Sequence, residues 1–151
     1  MWAARTAGAF GNSLQVSTCP SSTAYEETSK TTVNDASTAV GDTVVTVTSG
    51  TGISAGDIVN FGDQYEYRVV SVATNDLTIV RKEEPQHFVA SDSSGLHATI
   101  TNGAAVRRRW KYYDLFDKAP GTSPAASAKG GSNDELHIVV VDEDGAITGT
   151  K

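Results

Sequence analysis

The sequence predicts a mainly β protein in which a small antiparallel β-barrel or sandwich is inserted between two flanking segments. The apolar share is only 38%, and 14 glycines with many serines and threonines replace it, as is typical of β-rich chains with many turns. Two polar stretches, residues 20–37 and 120–133, separate the middle of the chain from its ends. This arrangement predicts an inserted domain whose two ends lie close together. The flanking segments are also compatible with an α+β core.

The first predicted part, residues 1–37, contains a turn, a strand and a connection. The motif GAFGNSLQV at residues 8–16 predicts a tight turn that leads into a strand. Loops of KH domains share the bare Gly-x-x-Gly pattern, but they lie between helices and carry basic residues, so a turn with a packed Phe10 is favoured. Residues 20–37 show little periodicity and are interpreted as a connection. The turn is assigned to Gly8, Phe10, Gly11 and Asn12.

The second part, residues 38–109, is predicted to be the inserted β domain. Short runs of β-branched and aromatic residues alternate there with Gly, Asn and Asp turns. A meander with one apolar face closes most easily by curling over itself, so a barrel or sandwich is expected. The predicted strands are residues 43–48, 58–61, 65–72 and 77–80, with a final strand around either 98–101 or 104–108.

The third part, residues 110–151, is predicted to be a return linker followed by a strand and hairpin. The block DELHIVVVDEDG at residues 134–145 alternates in its strand and ends in Asp144-Gly145, a dipeptide suited to a type I′ turn. The returning strand, residues 146–151, is short, and such a hairpin buries little by itself. We therefore expect the chain to be a piece of a larger protein.

Both terminal blocks carry a resemblance to one family. Residues 8–16 resemble the Gly-x-aromatic-Gly-Asn-x-aliphatic segment of tail sheath proteins of contractile-tailed bacteriophages, particularly the T4-like myoviruses. Residues 134–145 resemble the acidic hairpin of the same proteins, and the two blocks occur in the family's order. If both belong to one sheath core, the strand at Leu14 is expected to share a sheet with the strand at His137.

The resemblance implies a mechanical function. A sheath subunit packs in stacked rings around the tail tube, and the sheath contracts to drive the tube through the host envelope. The implied partners are other sheath subunits and the tail tube, the implied location is the virion after folding in the host cytoplasm, and no cofactor is implied. We expect this chain to lack the strand-exchanging terminal arms of the family, and the isolated chain is therefore expected to be a monomer.

The run RRRWKYY at residues 107–113 combines cations with aromatic rings, as grooves for single-stranded nucleic acid do. A strand would divide these residues between two faces, and the net charge of −6 disfavours nucleic acid. A structural role for this run is preferred, either at a junction within the chain or at a contact between subunits, with its arginines paired to acidic neighbours. The candidate junction or contact residues are Arg107, Arg108, Arg109, Trp110, Asp142 and Asp144.

Other chemistry finds little support in the sequence. The acidic cluster at residues 142–144 lacks the remaining ligands of a calcium loop, and His87, His97 and His137 have neither metal-ligand nor triad spacing. Cys19 has no neighbouring base. No enzyme activity, metal site or membrane span is therefore predicted.

A second function class stays open, namely a virion surface module that recognises a host glycan or protein. Aromatic rings that stack on sugars would carry this function, provided that they are exposed. The candidates are Tyr65, Tyr67, Trp110 and Tyr112.

Overall fold

The computed structural model describes residues 13–83, 87–88 and 95–142. The chain divides into a terminal unit, Met1–Ser22 with Phe116–Lys151, and a central unit, Thr23–Leu115. The predicted turn at Gly8, Phe10, Gly11 and Asn12, the residue Asp144 and the return strand 146–151 lie outside the described residues.

The described residues are mainly β, as predicted, with few and short helices. Their elements in chain order are β1 (Leu14–Cys19), α1 (Ser22–Tyr25), β2 (Glu26–Thr32), β3 (Val44–Thr46), β4 (Ile58–Asn60), β5 (Tyr67–Ala73), β6 (Asp76–Glu83), β7 (His87–Phe88), β8 (Ala105–Arg109), a 3₁₀ helix (Tyr113–Leu115), α2 (Pro124–Ser127) and β9 (His137–Asp142).

The terminal unit is built on a two-stranded antiparallel sheet of β1 and β9. Leu14 pairs with Asp142 at one end of the ladder, and Cys19 pairs with His137 at the other. The expected sheet between the strand at Leu14 and the strand at His137 is thus present. The predicted linker 120–133 is more structured than expected, because the Ser123 side chain accepts a hydrogen bond from a backbone N–H of α2 and starts that helix.

The central unit is an antiparallel sheet with the strand order β2-β8-β4-β5-β6-β3, and β7 pairs with β6. The expectation of a closed barrel is wrong. The outer strands β2 and β3 are connected by an isolated bridge between Val33 and Val47 and not by a ladder. Because β3 has only three residues, it offers too few backbone groups to close the sheet.

The interpretation of residues 20–37 as a connection is wrong for β2, which occupies seven of them. The sequence of β2, EETSKTT, is polar on both faces, so it shows no apolar alternation. It pairs with β8, where Glu26 lies opposite Arg109 and Glu27 lies opposite Arg108. Opposite charges across the two strands therefore replace the apolar pattern that identifies most strands.

The predicted strands of the meander correspond to β3, β4, β5 and β6, and the final strand is β8, at the second of its two predicted positions. Residues 98–101 form no strand. There the Thr38 hydroxyl donates to the Ile100 carbonyl at 2.7 Å and accepts from the Ile100 N–H at 2.9 Å. A single buried side chain thus satisfies the backbone groups that a strand partner would otherwise satisfy.

The core of the central unit lies against one face of its sheet. Tyr67 and Val69 of β5 and Leu77 and Ile79 of β6 are fully buried, together with Val106 of β8. The neighbours of these residues along the strands, such as Arg68 and Val70, are half-buried or exposed. The alternation predicted for the long strand therefore holds from Tyr67 to Val70 and shifts at the bulge between Val69 and Ser71, so that Val72 packs against the core. It places Arg68 of β5, and Arg107 and Arg109 of β8, on the side of the sheet opposite the core.

The two ends of the central unit are joined by hydrogen bonds. The Trp110 N–H donates to the Tyr25 carbonyl at 2.8 Å, and the Tyr25 hydroxyl donates to the Tyr113 carbonyl at 2.7 Å. Trp110 is only 5% exposed, and the rings of Tyr25 and Tyr113 meet edge to face. The chain therefore enters and leaves this unit at one place.

Candidate functional site

The terminal sheet has an uncovered apolar face. Residues paired across antiparallel strands project to the same side, so Leu14, Val16, Ile138 and Val140 share one face. Leu14 is 39% exposed, Ile138 is 42% exposed and Val140 is 60% exposed. We call these four residues the apolar face. A clustered apolar surface typically marks an interaction site.

Other residues of the terminal unit pack against the opposite face of this sheet. The ring of Phe116 stacks on His137 at 3.9 Å between centroids, and His137 Nε2 lies 2.8 Å from the Lys118 carbonyl oxygen. Cys19 is fully buried at the end of β1. Among the described residues of the terminal unit, contacts therefore cover one face of the sheet, while most side chains of the apolar face are exposed.

Asp142, a predicted contact residue, forms a hydrogen bond within the terminal unit. Its Oδ1 accepts a hydrogen bond from the hydroxyl of Ser13, which is buried. This bond ties the end of β9 to the start of β1. The second acidic candidate, Asp144, lies outside the described residues.

The three arginines of β8 alternate between two sides of the central sheet. Arg108 Nε and Nη2 donate to the two oxygens of Asp57 at 2.9 and 3.2 Å, and Arg108 Nη1 donates to the Ala24 carbonyl at 2.9 Å. The side chains of Arg108 and Asp57 are 12% and 5% exposed. This pair connects β8 to the loop before β4 and to the start of the unit, which is a structural role.

On the other side, Arg109 belongs to a compact group of charges around Glu66. Arg109 Nη1 lies 2.6 Å from Glu66 Oε1, while the Tyr113 hydroxyl donates to Glu66 Oε2 at 2.6 Å. Lys82 Nζ lies 3.3 Å from Glu66 Oε2 and donates to the Tyr113 hydroxyl at 2.7 Å. Both cations also lie over the Tyr113 ring. We call Glu66, Lys82, Arg109 and Tyr113 the Glu66 cluster.

The charges of the Glu66 cluster hold each other in their ionised forms. Burial alone would raise the pKa of Glu66, but the Tyr113 hydrogen bond and the charges of Lys82 and Arg109 outweigh it, so this pKa lies below its ordinary value. Burial would likewise lower the pKa of Lys82, yet contacts with Tyr113 and Glu66 raise it. The pKa of Tyr113 is raised by its burial and by its bond to Glu66. The cluster is thus a fixed charge network at neutral pH.

The Glu66 cluster forms one wall of a cavity of about 640 Å³ in the central unit. On another wall the rings of Tyr65 and His97 stack at 3.9 Å between centroids, with their planes 19° apart. Arg107 also lines the cavity; it is 35% exposed, and its Nη1 lies 3.4 Å from Glu26 Oε1. The site therefore combines an aromatic surface with charged groups.

Only part of this cavity could be predicted from the sequence. Of the four aromatic candidates for ligand recognition, Tyr67 is fully buried and Trp110 nearly so, so the four rings do not form an exposed set. Tyr65 lines the cavity, whereas Tyr112 lies edge-on to Trp110. No sequence pattern indicates that His97 stacks on Tyr65, because the two residues are far apart along the chain.

No family model matches this chain, and no curated protein or solved structure is significantly similar to it. Among residues 13–83, 87–88 and 95–142, no group of three or more His, Cys, Asp or Glu side chains is arranged to hold a metal ion. None of the helices in this part of the chain approaches the length needed to cross a bilayer.

Proposed function

We propose that this chain is part of a structural subunit of a contractile bacteriophage tail sheath and that its central unit is an insertion in the sheath core. The observation that carries the proposal is the pairing of β1 with β9. These strands contain residues from both blocks that resemble sheath proteins. Segments from opposite ends of the chain thus contribute to one sheet, as expected if both are pieces of the same core.

The adjacent ends of the central unit support the same proposal. Its ends are held together by the hydrogen bond between Trp110 and Tyr25, and it has a core of its own. A domain with adjacent ends can be inserted between two strands without separating them. An additional domain on a sheath subunit requires this geometry.

The apolar face supports a role in assembly. A contractile sheath does work without nucleotide hydrolysis because many subunit interfaces switch together between two arrangements. Such interfaces need exposed apolar surface, and Leu14, Ile138 and Val140 supply it.

A graft tests the proposal. The matching stretch of a contractile sheath protein of known structure is replaced by this chain, and the product is imaged by negative-stain electron microscopy. We expect tubes of the sheath type with additional density on each subunit. A second graft, in which a Gly-Ser linker replaces residues 23–115, should form tubes without that density.

A matched control uses Ile138→Asp with Val140→Asp, which charges the apolar face and leaves the central unit unchanged. This double variant should remain folded, by circular dichroism, but form no tubes. If the unmodified graft is folded and soluble but never assembles under conditions in which the parent sheath protein does, the proposal is wrong.

A further inference from the structure

We propose that the cavity of the central unit binds an acidic saccharide, with the sugar ring on the Tyr65–His97 stack and the carboxylate on Arg107. This site concerns the central unit alone and does not depend on the sheath proposal. Its volume of about 640 Å³ lies within the range of small-molecule sites, roughly 300–1,000 Å³.

The aromatic surface is held in place by its surroundings. The His97 backbone N–H donates to the Tyr67 hydroxyl at 3.1 Å, and that hydroxyl donates to Asp63 Oδ2 at 2.8 Å. Gln64 Nε2 donates to the Tyr65 hydroxyl at 2.9 Å. Because Tyr67 is fully buried, the segment carrying His97 is tied to the core. A flat surface that is already in position binds a flat apolar sugar face with little loss of conformational entropy.

The charges that line the cavity favour an acidic ligand. Three lining side chains are cationic, Lys82, Arg107 and Arg109, whereas two are carboxylates, Asp63 and Glu66. This local excess of positive charge occurs in a chain with a net charge of −6. Glu26 and Asp114, which pair with these cations, are not among the lining residues, so the positive excess is confined to the side chains that line the cavity. An anion in the cavity therefore meets more cations than carboxylates.

Arg107 is the cation best placed to bind the carboxylate. Arg109 contacts Glu66 at 2.6 Å, and Lys82 is only 5% exposed within the Glu66 cluster. Arg107 is 35% exposed, and its 3.4 Å contact is to a Glu26 oxygen that also lies 3.4 Å from Arg109. A planar guanidinium in this position can donate two parallel hydrogen bonds to a carboxylate, the bidentate geometry that such pairs prefer.

The experiment compares saccharides that differ only in charge. Trigalacturonate and 3′-sialyllactose are titrated into the full chain by isothermal calorimetry, beside the methyl esters of both, which keep the rings and remove the negative charge. We expect at least one acid to bind saturably and at least tenfold more tightly than its ester. The proposal is overturned if neither acid binds, or if the esters bind as tightly as the acids.

Variants locate the site. Arg107→Met should weaken binding of the acid at least tenfold and leave the weak binding of the ester unchanged. Tyr65→Phe keeps the ring and removes only the hydrogen bond from Gln64, so it should weaken binding far less than Tyr65→Ala, which should weaken acid and ester together. Lys129→Met, an exposed cation of the terminal unit, is the matched control and should have no effect. Equal losses from Arg107→Met and Lys129→Met would overturn the proposed site, with thermal melts confirming that each variant is folded.

Discussion

Replacement of Arg108 by Met should destabilise the central unit strongly. The substitution keeps the apolar stem but leaves the Asp57 carboxylate, 5% exposed, without its guanidinium partner. Breaking a buried ion pair costs about 3–5 kcal/mol. We expect the lower end, about 3 kcal/mol, because Asp57 Oδ2 keeps a hydrogen bond from the Ser54 N–H.

The measurement is equilibrium unfolding in urea, monitored by the fluorescence of Trp110 in a Trp2→Phe background that removes the other tryptophan. Trp110 is buried in the central unit and reports on its unfolding. For a unit of this size, a loss of about 3 kcal/mol lowers the melting temperature by roughly 12–24 °C. The urea midpoint should fall while the slope of the transition stays constant.

The matched control is Arg107→Met, which makes the same change at the preceding position of β8, where the side chain lies on the opposite side of the sheet. Arg107 is 35% exposed and has a long contact to Glu26, so its loss should cost less than about 1 kcal/mol. A double-mutant cycle with Asp57→Asn isolates the coupling between Arg108 and Asp57, which we expect to exceed about 1 kcal/mol. Equal costs for the two arginine variants, or no coupling in the cycle, would refute this reasoning.

Three further predictions follow from the described contacts. Because the pKa of Glu66 in the folded state is depressed, its ionised form stabilises the fold above the ordinary pKa of 4.5, and this stability is lost on acidification. Glu66→Gln should therefore make the stability in urea less dependent on pH around 4.5. An unchanged pH dependence would contradict this prediction. Gly50→Ala would place Cβ 2.2 Å from the Thr74 carbonyl oxygen, so its urea midpoint should fall further than that of Gly62→Ala, which has open space and strains only a positive φ. By size-exclusion chromatography with light scattering, the isolated chain should have the monomer mass of 15.8 kDa, and a dimer mass would contradict this expectation.

The strands of the meander could be predicted from the sequence because their burial follows local rules. Apolar residues recur at every second position in the first part of β5 and in β6, and a turn joins the strands, so the hydrophobic period and the turn residues both indicate a hairpin. The bulge between Val69 and Ser71 interrupts this period in β5. The turn itself is formed by Thr74 and Asn75, one residue earlier than the Asn75-Asp76 pair suggested. Thr74 adopts a φ of 57°, which is uncommon for a β-branched residue and therefore could not be predicted from its residue type.

The edges of the central sheet could not be predicted, because they depend on distant partners. β2 carries no apolar period, and its place in the sheet is set by β8, which follows it much later in the chain. Closure into a barrel depends on whether the two outer strands are long enough to pair. The single bridge between Val33 and Val47 is a property of the assembled sheet, and neither residue's neighbours indicate it.

The roles of the three arginines depend on which carboxylates lie next to each of them and not on their order in the RRR sequence. Alternation along a strand predicts that Arg108 faces away from Arg107 and Arg109, but it does not distinguish the latter two. Three separate segments of the central unit provide the acids: Asp57 serves Arg108, Glu66 serves Arg109, and one Glu26 oxygen is shared between Arg107 and Arg109. Arg107 therefore keeps the weakest pairing at the most exposed position. Two residues of one basic run stabilise the fold, and the third is left with the capacity to bind a ligand.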